Sequence, residues 1–432
     1  MLDLKFVLRN MDLVLEKLQK RLIEIKDLDN IVVLSNMRKE LIQKIEKIRF
    51  RKNNVSQVIS ELKHKSEQEN QFNNDNFKSE QKSEQISKKD LKEFEKQLQE
   101  IEQKISHILY NIPNIPHDSV PVGTDENDNV EVFRFLEPKK FSFPVKDHIE
   151  LGKNLDILDF ERATKITGSK FVVLKGAGAR LERSLINFML DVHISKGYEE
   201  ILSPFIVNKT SMFSTGQLPK FKKDLFKLKL DKHEWYLNPT AEVPMVNFHR
   251  DDVLDKNQLP LKYVGFTTCF RQEAGANGLK SKGIFRQKQF NKVELVQFVE
   301  PQNSYKALEE MLKDSEYILQ KLNLPYRILT LSTGDLGFSA SKTYDIEVWI
   351  PSQNRYREIA SISNTESFQA RRANIKLKDN TKNKKEYLHI LNGSALAVGR
   401  TMMAIIENYQ DENGHIVVPE VLHDYFKENL IK

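Results

Sequence analysis

A chain of 432 residues is longer than one hydrophobic core usually fills, so two or more domains are expected. With 39% hydrophobic and 30% charged residues and a net charge of +6, the composition suits a large solvated surface and permits a polyanionic partner without requiring one. The single cysteine, Cys269, excludes an internal disulfide and a cysteine-rich zinc site, and its strand-like surroundings suggest packing rather than nucleophilic work.

No apolar run approaches the roughly 18 residues of a membrane span, and the opening MLDLKFVLRN does not read as a signal peptide. A cytoplasmic chain with no membrane association is predicted. Residues 1–30 read as short amphipathic helices, with Leu4, Val7, Leu13, Leu15, Leu18 and Leu22 as buried positions. A heptad then runs through Leu34, Met37, Leu41, Lys44, Ile48, Arg51, Val55, Val58 and Leu62. A cleaner one runs through Leu91, Phe94, Leu98, Ile101, Ile105 and Ile108. Neither contains proline or glycine. Residues 65–89 between them are polar, a frayed tip or a disordered loop. Two apolar seams joined by one polar connection predict an antiparallel coiled coil over about 31–110. Its first helix carries Arg38, Lys39, Lys44, Lys47, Arg49, Arg51, Lys52 and Lys63 against Glu40, Glu46 and Glu61. That excess fits either a solvated flank or a surface for a nucleic-acid backbone.

Pro113 and Pro116 end the arm, and 113–144 reads as a linker to a second, mixed α/β domain over 145–432. Within it, a helix is predicted over 180–195, then a strand over 200–207 that contains Pro204. The run YLNPTAEVP begins at Tyr236. A β-rich stretch from Tyr263 to Phe270 ends on Arg271, Gln272 and Glu273. A loop with Gly275, Gly278 and Gly283 leads to a second extended run, 285–298, so an antiparallel hairpin is predicted. It carries Arg271 and Glu273 on one limb and Arg286, Phe290 and Glu294 on the other. Guanidiniums can clamp phosphate oxygens, a ring can support a purine, and a carboxylate can accept from an amine. The same spacing also describes cross-strand ion pairs on a solvated face, the commoner arrangement. Two further strands are predicted at 343–349 and 357–364. The run LNGSALAVGR at 391–400 reads as a polar turn entering a tightly packed helix.

The string FRQEAG…GIFRQ.QFNKVE resembles motif 2 of the class II aminoacyl-tRNA synthetases, specifically the seryl-tRNA synthetase family. The 180–207 helix–strand–proline pattern resembles motif 1, which in that family builds the dimer. LNGSALAVGR resembles motif 3. The TGQLPKFKKDLFKL run, the linker HDSVPVGTDENDNVEVFRF, and Phe368 with the four residues after it also match, and only 65–89 lies outside the likeness. The resemblance implies an α+β chain: an N-terminal antiparallel helical arm, then a class II catalytic domain on a mostly antiparallel sheet flanked by helices. It implies activation of L-serine by ATP with Mg2+ and transfer to tRNA(Ser), with tRNA(Sec) as a further substrate where it exists, by a homodimer.

Carried over residue by residue, it implies a serine pocket of Thr240, Ala241, Glu242, Arg271, Glu294, Asn392 and Ser394. ATP would be held by Arg271, Gln272, Glu273, Arg286, Gln287, Phe290, Glu358, Ile359, Ala360, Ser361 and Arg400. Catalytic roles fall to Arg271, Arg400 and Glu358, and magnesium to Glu358 and Ser361, since hard cations prefer oxygen. Arg38, Lys39, Lys44, Lys47, Arg51 and Lys52 would meet tRNA, whose duplex regions are read mainly through phosphates and 2′-hydroxyls. The chain departs from the family's usual pattern at Lys288, at LKSK (279–282), and at Ala360, Ile390 and Ala395. Two other readings share these features. One is a relative that loads serine onto a carrier protein, though such relatives lack the arm. The other is a non-catalytic RNA-binding protein, which loss of Arg271, Glu294 or Arg400 would have favoured.

Overall fold

The computed structural model describes residues 1–23, 28–69, 74–230, 233–274, 283–379 and 384–432, with backbone alone for 55–56, 58–69, 74–88, 230 and 384. Contacts divide the chain into two compact units. One comprises Met1–Asp3, Asp12–Ile23 and Pro113–Lys432; the other comprises Leu4–Met11 and Glu24–Ile112. No described helix is long and apolar enough to cross a membrane.

The smaller unit is helical: α1 (Leu4–Arg9), α3 (Leu28–Glu69) and α4 (Asn74–Asn111), with α2 (Met11–Lys20) belonging, apart from Met11, to the larger unit. At 1.5 Å per residue the 42-residue α3 is about 63 Å long. Arg38 pairs with Glu102 at 2.8 Å and Arg49 with Glu95 at 2.9 Å, so α3 and α4 run antiparallel. The α4 seam follows its heptad: Ile101, Ile105 and Ile108 are buried, with Leu91, Phe94 and Leu98 partly so. The α3 seam does not. Leu28, Ile31, Ser35, Leu41 and Ile45 are buried, whereas Met37 is 47% exposed and Lys44 and Arg51 face solvent. Both phases contain Leu41 and Ile48, and apolar Val32, Val33 and Met37 lie on the outer side. The apolar letters alone pointed to the wrong stripe. Helix extends beyond residue 65 on one side and starts at 74 on the other, so most of 65–89 is helical rather than loop.

At the N-terminus Val7, Val14 and Leu18 are buried while Leu13 and Leu22 are exposed, at 41% and 64%. The larger unit is organised on an eight-stranded sheet. In chain order its strands are β1 (Val130–Phe135), β2 (Glu199–Glu200), β3 (Leu261–Phe270), β4 (Gln289–Val299), β5 (Tyr326–Thr330), β6 (Lys342–Ile350), β7 (Arg355–Asn364) and β8 (His389–Ala397). Their spatial order is β1-β5-β6-β7-β8-β4-β3-β2, antiparallel throughout except for β2 beside β3. Residues 113–144 are part of this unit, since β1 pairs with β5 along the sheet edge. Residues 391–397, expected as a turn entering a helix, form most of β8. The helix begins only at Val398. Short residues there allow close strand packing as readily as helix packing.

Helices Gly176–Ser195, Ser304–Lys321 and Val398–Asn408 cover one face of the sheet. Val293, Leu295, Leu308, Met311, Leu181 and Met403 sit in the resulting core. Each such side chain contributes about 1.5–3 kcal/mol through burial. Strand alternation sends Phe290, Lys292 and Glu294 of β4 to the opposite face, which further along closes over Val296 and Phe298. One end of that face is left polar. That end is the site.

Candidate active site

A cavity of about 340 Å³ opens at this polar end, within the size of a small-molecule site. Four cations, Arg271, Arg286, Lys292 and Arg400, and four carboxylates, Glu242, Glu273, Glu294 and Glu358, line it. They come from separate elements: Arg271 and Glu273 follow β3, Lys292 and Glu294 are on β4, Glu358 on β7, and Arg400 in the first turn of the Val398–Asn408 helix. The register explains the convergence. Phe290 stands opposite Cys269 and Lys292 opposite Thr267, so Arg271, two residues beyond Cys269, falls on the same face.

Glu358 and Ser361 are three apart, a spacing that a regular strand would send to opposite faces. A register shift between β6 and β7, across Ile346 and Glu347, inserts an extra residue at Ile359 and turns both toward the cavity. A second shift, between Val293 and Glu294 of β4, re-aims β8 beyond Ser394.

At one end lies a buried polar cluster. Lys292 Nζ donates to Thr240 Oγ1 at 2.8 Å and pairs with Glu294 Oε2 at 2.6 Å; Ser394 Oγ donates to the same carboxylate at 3.3 Å. Gln369 Nε2 donates to Glu242 Oε1 at 2.5 Å, while Asn392 Nδ2 reaches Gln369 Oε1 at 3.3 Å. Burial, then the neighbouring Glu294 charge, pushes the Glu242 carboxyl up to about 7.

The other end is built from guanidiniums and rings. The Arg271 guanidinium lies 5.2 Å from the Phe290 centroid, and that of Arg400 lies 4.5 Å from Phe285. Arg286 pairs with Glu273, which holds a left-handed backbone (φ 52) as the chain leaves β3. Arg400 donates to the Glu358 carbonyl oxygen at 2.8 Å and holds the Glu358 carboxyl below the usual carboxylate range. Ser361 Oγ donates to Asp345 Oδ1 at 2.5 Å. Burial and then Glu358 push the Asp345 carboxyl up.

An adjoining cavity of about 540 Å³ shares Arg286, Glu358, Ser361 and Arg400 and reaches Asp345. Two carboxylates and a hydroxyl, one carboxylate already disfavoured as an anion, suit a hard divalent cation. Among the described residues no group of three His, Cys, Asp or Glu side chains is placed to hold a metal by itself, so such an ion needs ligand oxygens as well.

Of the residues the sequence singled out, Thr240, Glu242, Arg271, Glu273, Arg286, Gln287, Phe290, Glu294, Glu358, Ile359, Ser361, Asn392, Ser394 and Arg400 line the cavity. Ala241 and Ala360 do not; both are buried in apolar clusters. Gln272 also turns away, donating to the Leu225 carbonyl at 2.9 Å. Strand alternation is the reason for Ala360, which lies next to Ser361 in β7; Gln272 lies just beyond the end of β3. Lys280, Lys282 and the rest of 275–282 lie outside the described residues. Sequence reasoning gave no role to Lys292, Phe285 or Gln369. Period-two spacing from Phe290 and Glu294 could have found Lys292; nothing local marks Gln369.

A family model described as the tRNA synthetase class II core domain (G, H, P, S and T) matches residues 226–409, and one for the seryl-tRNA synthetase N-terminal domain matches 1–116. The chain is 54% identical to the serine--tRNA ligase of Phytoplasma mali and 51% identical to that of Thermodesulfovibrio yellowstonii, each alignment covering 100% of both chains. Among solved structures it resembles seryl-tRNA synthetase from Pyrococcus horikoshii complexed with ATP, with TM-score 0.89 and 34% identity over 100% of this chain and 99% of that one. Cytoplasmic serine-tRNA ligase from Naegleria fowleri in complex with AMP gives TM-score 0.84 and 30% identity, covering 98% of this chain and 96% of that one. Full-length likeness of this order, joined to a cavity that gathers side chains from the motif 2 and motif 3 strings, leads to one conclusion: the chain belongs to the seryl-tRNA synthetase family of class II synthetases.

Proposed function

We propose that the chain is a serine--tRNA ligase, forming seryl-adenylate from L-serine and ATP and then charging tRNA(Ser), and tRNA(Sec) where it exists. The observation that carries this reading is the two-ended cavity, with a buried Lys292–Glu294–Thr240 cluster at one end and guanidiniums over aromatic rings at the other. In the first step a serine carboxylate oxygen attacks the α-phosphorus, the bond to the bridging oxygen breaks, and pyrophosphate leaves. In the second the terminal tRNA hydroxyl attacks the seryl carbonyl carbon and AMP leaves. Positioning and neutralisation of charge carry most of the first step.

Arg271 holds the α-phosphate and the serine carboxylate. Glu294 receives the ammonium, while Thr240, Glu242, Asn392 and Ser394 frame the side chain. ATP exchanges the Arg286–Glu273 pair for two contacts, Glu273 accepting from the adenine amine and Arg286 meeting the γ-phosphate. Arg400, backed by Phe285, faces Phe290 across the adenine. Glu358 and Ser361, with Asp345 behind them, are the residues to hold magnesium, which neutralises phosphate charge when bound. A site built to hydrogen-bond the serine hydroxyl rejects alanine strongly.

On the arm, Lys39, Lys47 and Arg51 stay exposed for phosphate contact, while Arg38 is engaged with Glu102. We place the chain in the cytoplasm as a homodimer. Leu202 (78% exposed) and Phe248 (60% exposed) both flank β3, Ile201 bonding to Val264 and Phe248 packing edge-on against Tyr263. Serine-dependent ATP–pyrophosphate exchange followed by aminoacylation of total tRNA tests the reading. Exchange without charging favours a carrier-protein ligase, and neither activity favours a non-catalytic RNA binder. Arg271→Ala is expected to lower exchange by about 10²–10³-fold with the melting temperature little changed.

A further inference from the structure

Arg21 is buried in the larger unit, and among the described residues its hydrogen-bond partners are carbonyl oxygens: Asn114 at 2.5 Å, Leu336 at 2.6 Å, Gly337 at 2.8 Å and Ala340 at 3.5 Å. Burial lowers its pKa to about 10, so it stays a cation at neutral pH. Asn114 works on the same stretch. Its backbone N–H donates to the Phe338 carbonyl at 2.9 Å, and its Nδ2 donates to the Ser339 and Thr365 carbonyls at 3.0 and 2.9 Å. The His117 N–H donates to Ser341 at 3.0 Å. Every carbonyl from 336 to 341 therefore accepts from residue 21, 114 or 117. An irregular segment whose polar backbone is buried needs outside partners of this kind.

This segment is a wall of the cavity, for Gly337, Phe338, Ser339 and Ala340 all line it. It abuts the end where Glu242 lies. Phe338 packs edge-on against Phe368 at 5.7 Å, and the next residue, Gln369, donates to Glu242 and to the Thr215 carbonyl. On the other side, a Cβ on Gly216 would stand 3.4 Å from the Phe338 ring. The two anchors also have a meaning in the chain path. Arg21 lies just before the chain leaves for the helical unit at Glu24, and Asn114 just after it returns at Pro113.

We infer that Arg21 and Asn114 are positioning residues for the amino-acid subsite: from beside two of the points where the chain passes between units they fix the 336–341 wall and so set the affinity for serine. The inference rests on the assignment of the Thr240–Glu242–Asn392 end to serine. Lysine replaces Arg21 only in part, because a single ammonium does not offer the planar fork that spans several carbonyls.

The test uses Arg21→Ala, Arg21→Lys and Asn114→Ala in the full chain, reading serine and ATP KM in pyrophosphate exchange alongside thermal melting. KM does not depend on the fraction of molecules folded, so instability alone leaves it unchanged, and Asn114→Ala and Arg21→Lys carry the test where Arg21→Ala folds poorly. The expected result is a serine KM raised about tenfold in the alanine variants and less in Arg21→Lys, with ATP KM within about twofold. A serine KM within about twofold of wild type in the variants overturns the inference and leaves the anchors structural, and equal rises in both KM values overturn the assignment to the serine end. Absence of serine-dependent exchange in the wild type overturns the underlying reading instead, a separate outcome.

Discussion

At Glu242 burial and the Glu294 charge both disfavour the anion, while the hydrogen bond from Gln369 and the charges of Lys292 and Arg271 oppose them more weakly. The carboxyl is pushed up to about 7, so the folded protein holds a proton that the unfolded chain has released. Its contribution to stability is full below about pH 4.5 and is lost as pH rises through about 7. Between pH 5 and 8 the wild type is expected to lose on the order of 2 kcal/mol relative to Glu242→Gln, measured by urea unfolding at each pH. A second residue-scale prediction concerns Gly283, at φ +67, where an added Cβ would stand 1.9 Å from His148 Nε2. That ring donates through Nδ1 to Glu407 at 2.8 Å and accepts from the Ile284 N–H at 3.3 Å, fixing the limb that carries Phe285 and Arg286. Gly283→Ala is expected to lower pyrophosphate exchange by roughly tenfold or more and to lower the melting temperature. The sequence pointed to Arg271, Glu294 and Arg400, because their motifs are contiguous strings. It could not reveal His148, which meets Gly283 only through the fold.

Among the elements, the hairpin was legible and its edges were not. Strand β3 starts at Leu261 rather than Tyr263, and β4 starts at Gln289 rather than at residue 285, because 284–288 is tied to His148 and Lys170 instead of to the ladder. The helix expected over 180–195 starts earlier, at Gly176, and Pro204 separates Glu199–Glu200 from Ile206–Asn208. Helix α3 supplies a test of seam phase. Ile45→Ala removes a buried side chain and is expected to destabilise the arm by about 2–4 kcal/mol. Met37→Ala, at a half-exposed site, should stay within about 0.5 kcal/mol. Melting of the helical circular-dichroism signal of the full chain compares the two, and the reverse order would restore the phase that the heptad letters suggested.

At the scale of the whole molecule, the helical unit and the sheet-based unit are separate compact bodies, which suggests that their tasks divide. Removing residues 34–108 and closing the gap with a short linker is expected to leave pyrophosphate exchange within about twofold and to reduce tRNA charging by at least about 10²-fold. Comparing the two assays on one preparation checks it. What the sequence determined by itself was local: the α4 seam, the alternation of the strands, the prolines that end the arm, and the motif strings whose side chains meet at the site. What only the tertiary structure decided was the phase of α3, the strand register with the two shifts beside the site, and the anchoring of 336–341 by Arg21 and Asn114. The physical reason is that periodicity is set by neighbours a few residues away. Register, facing and anchoring depend instead on partners far along the chain, 319 positions apart for Arg21 and Ala340.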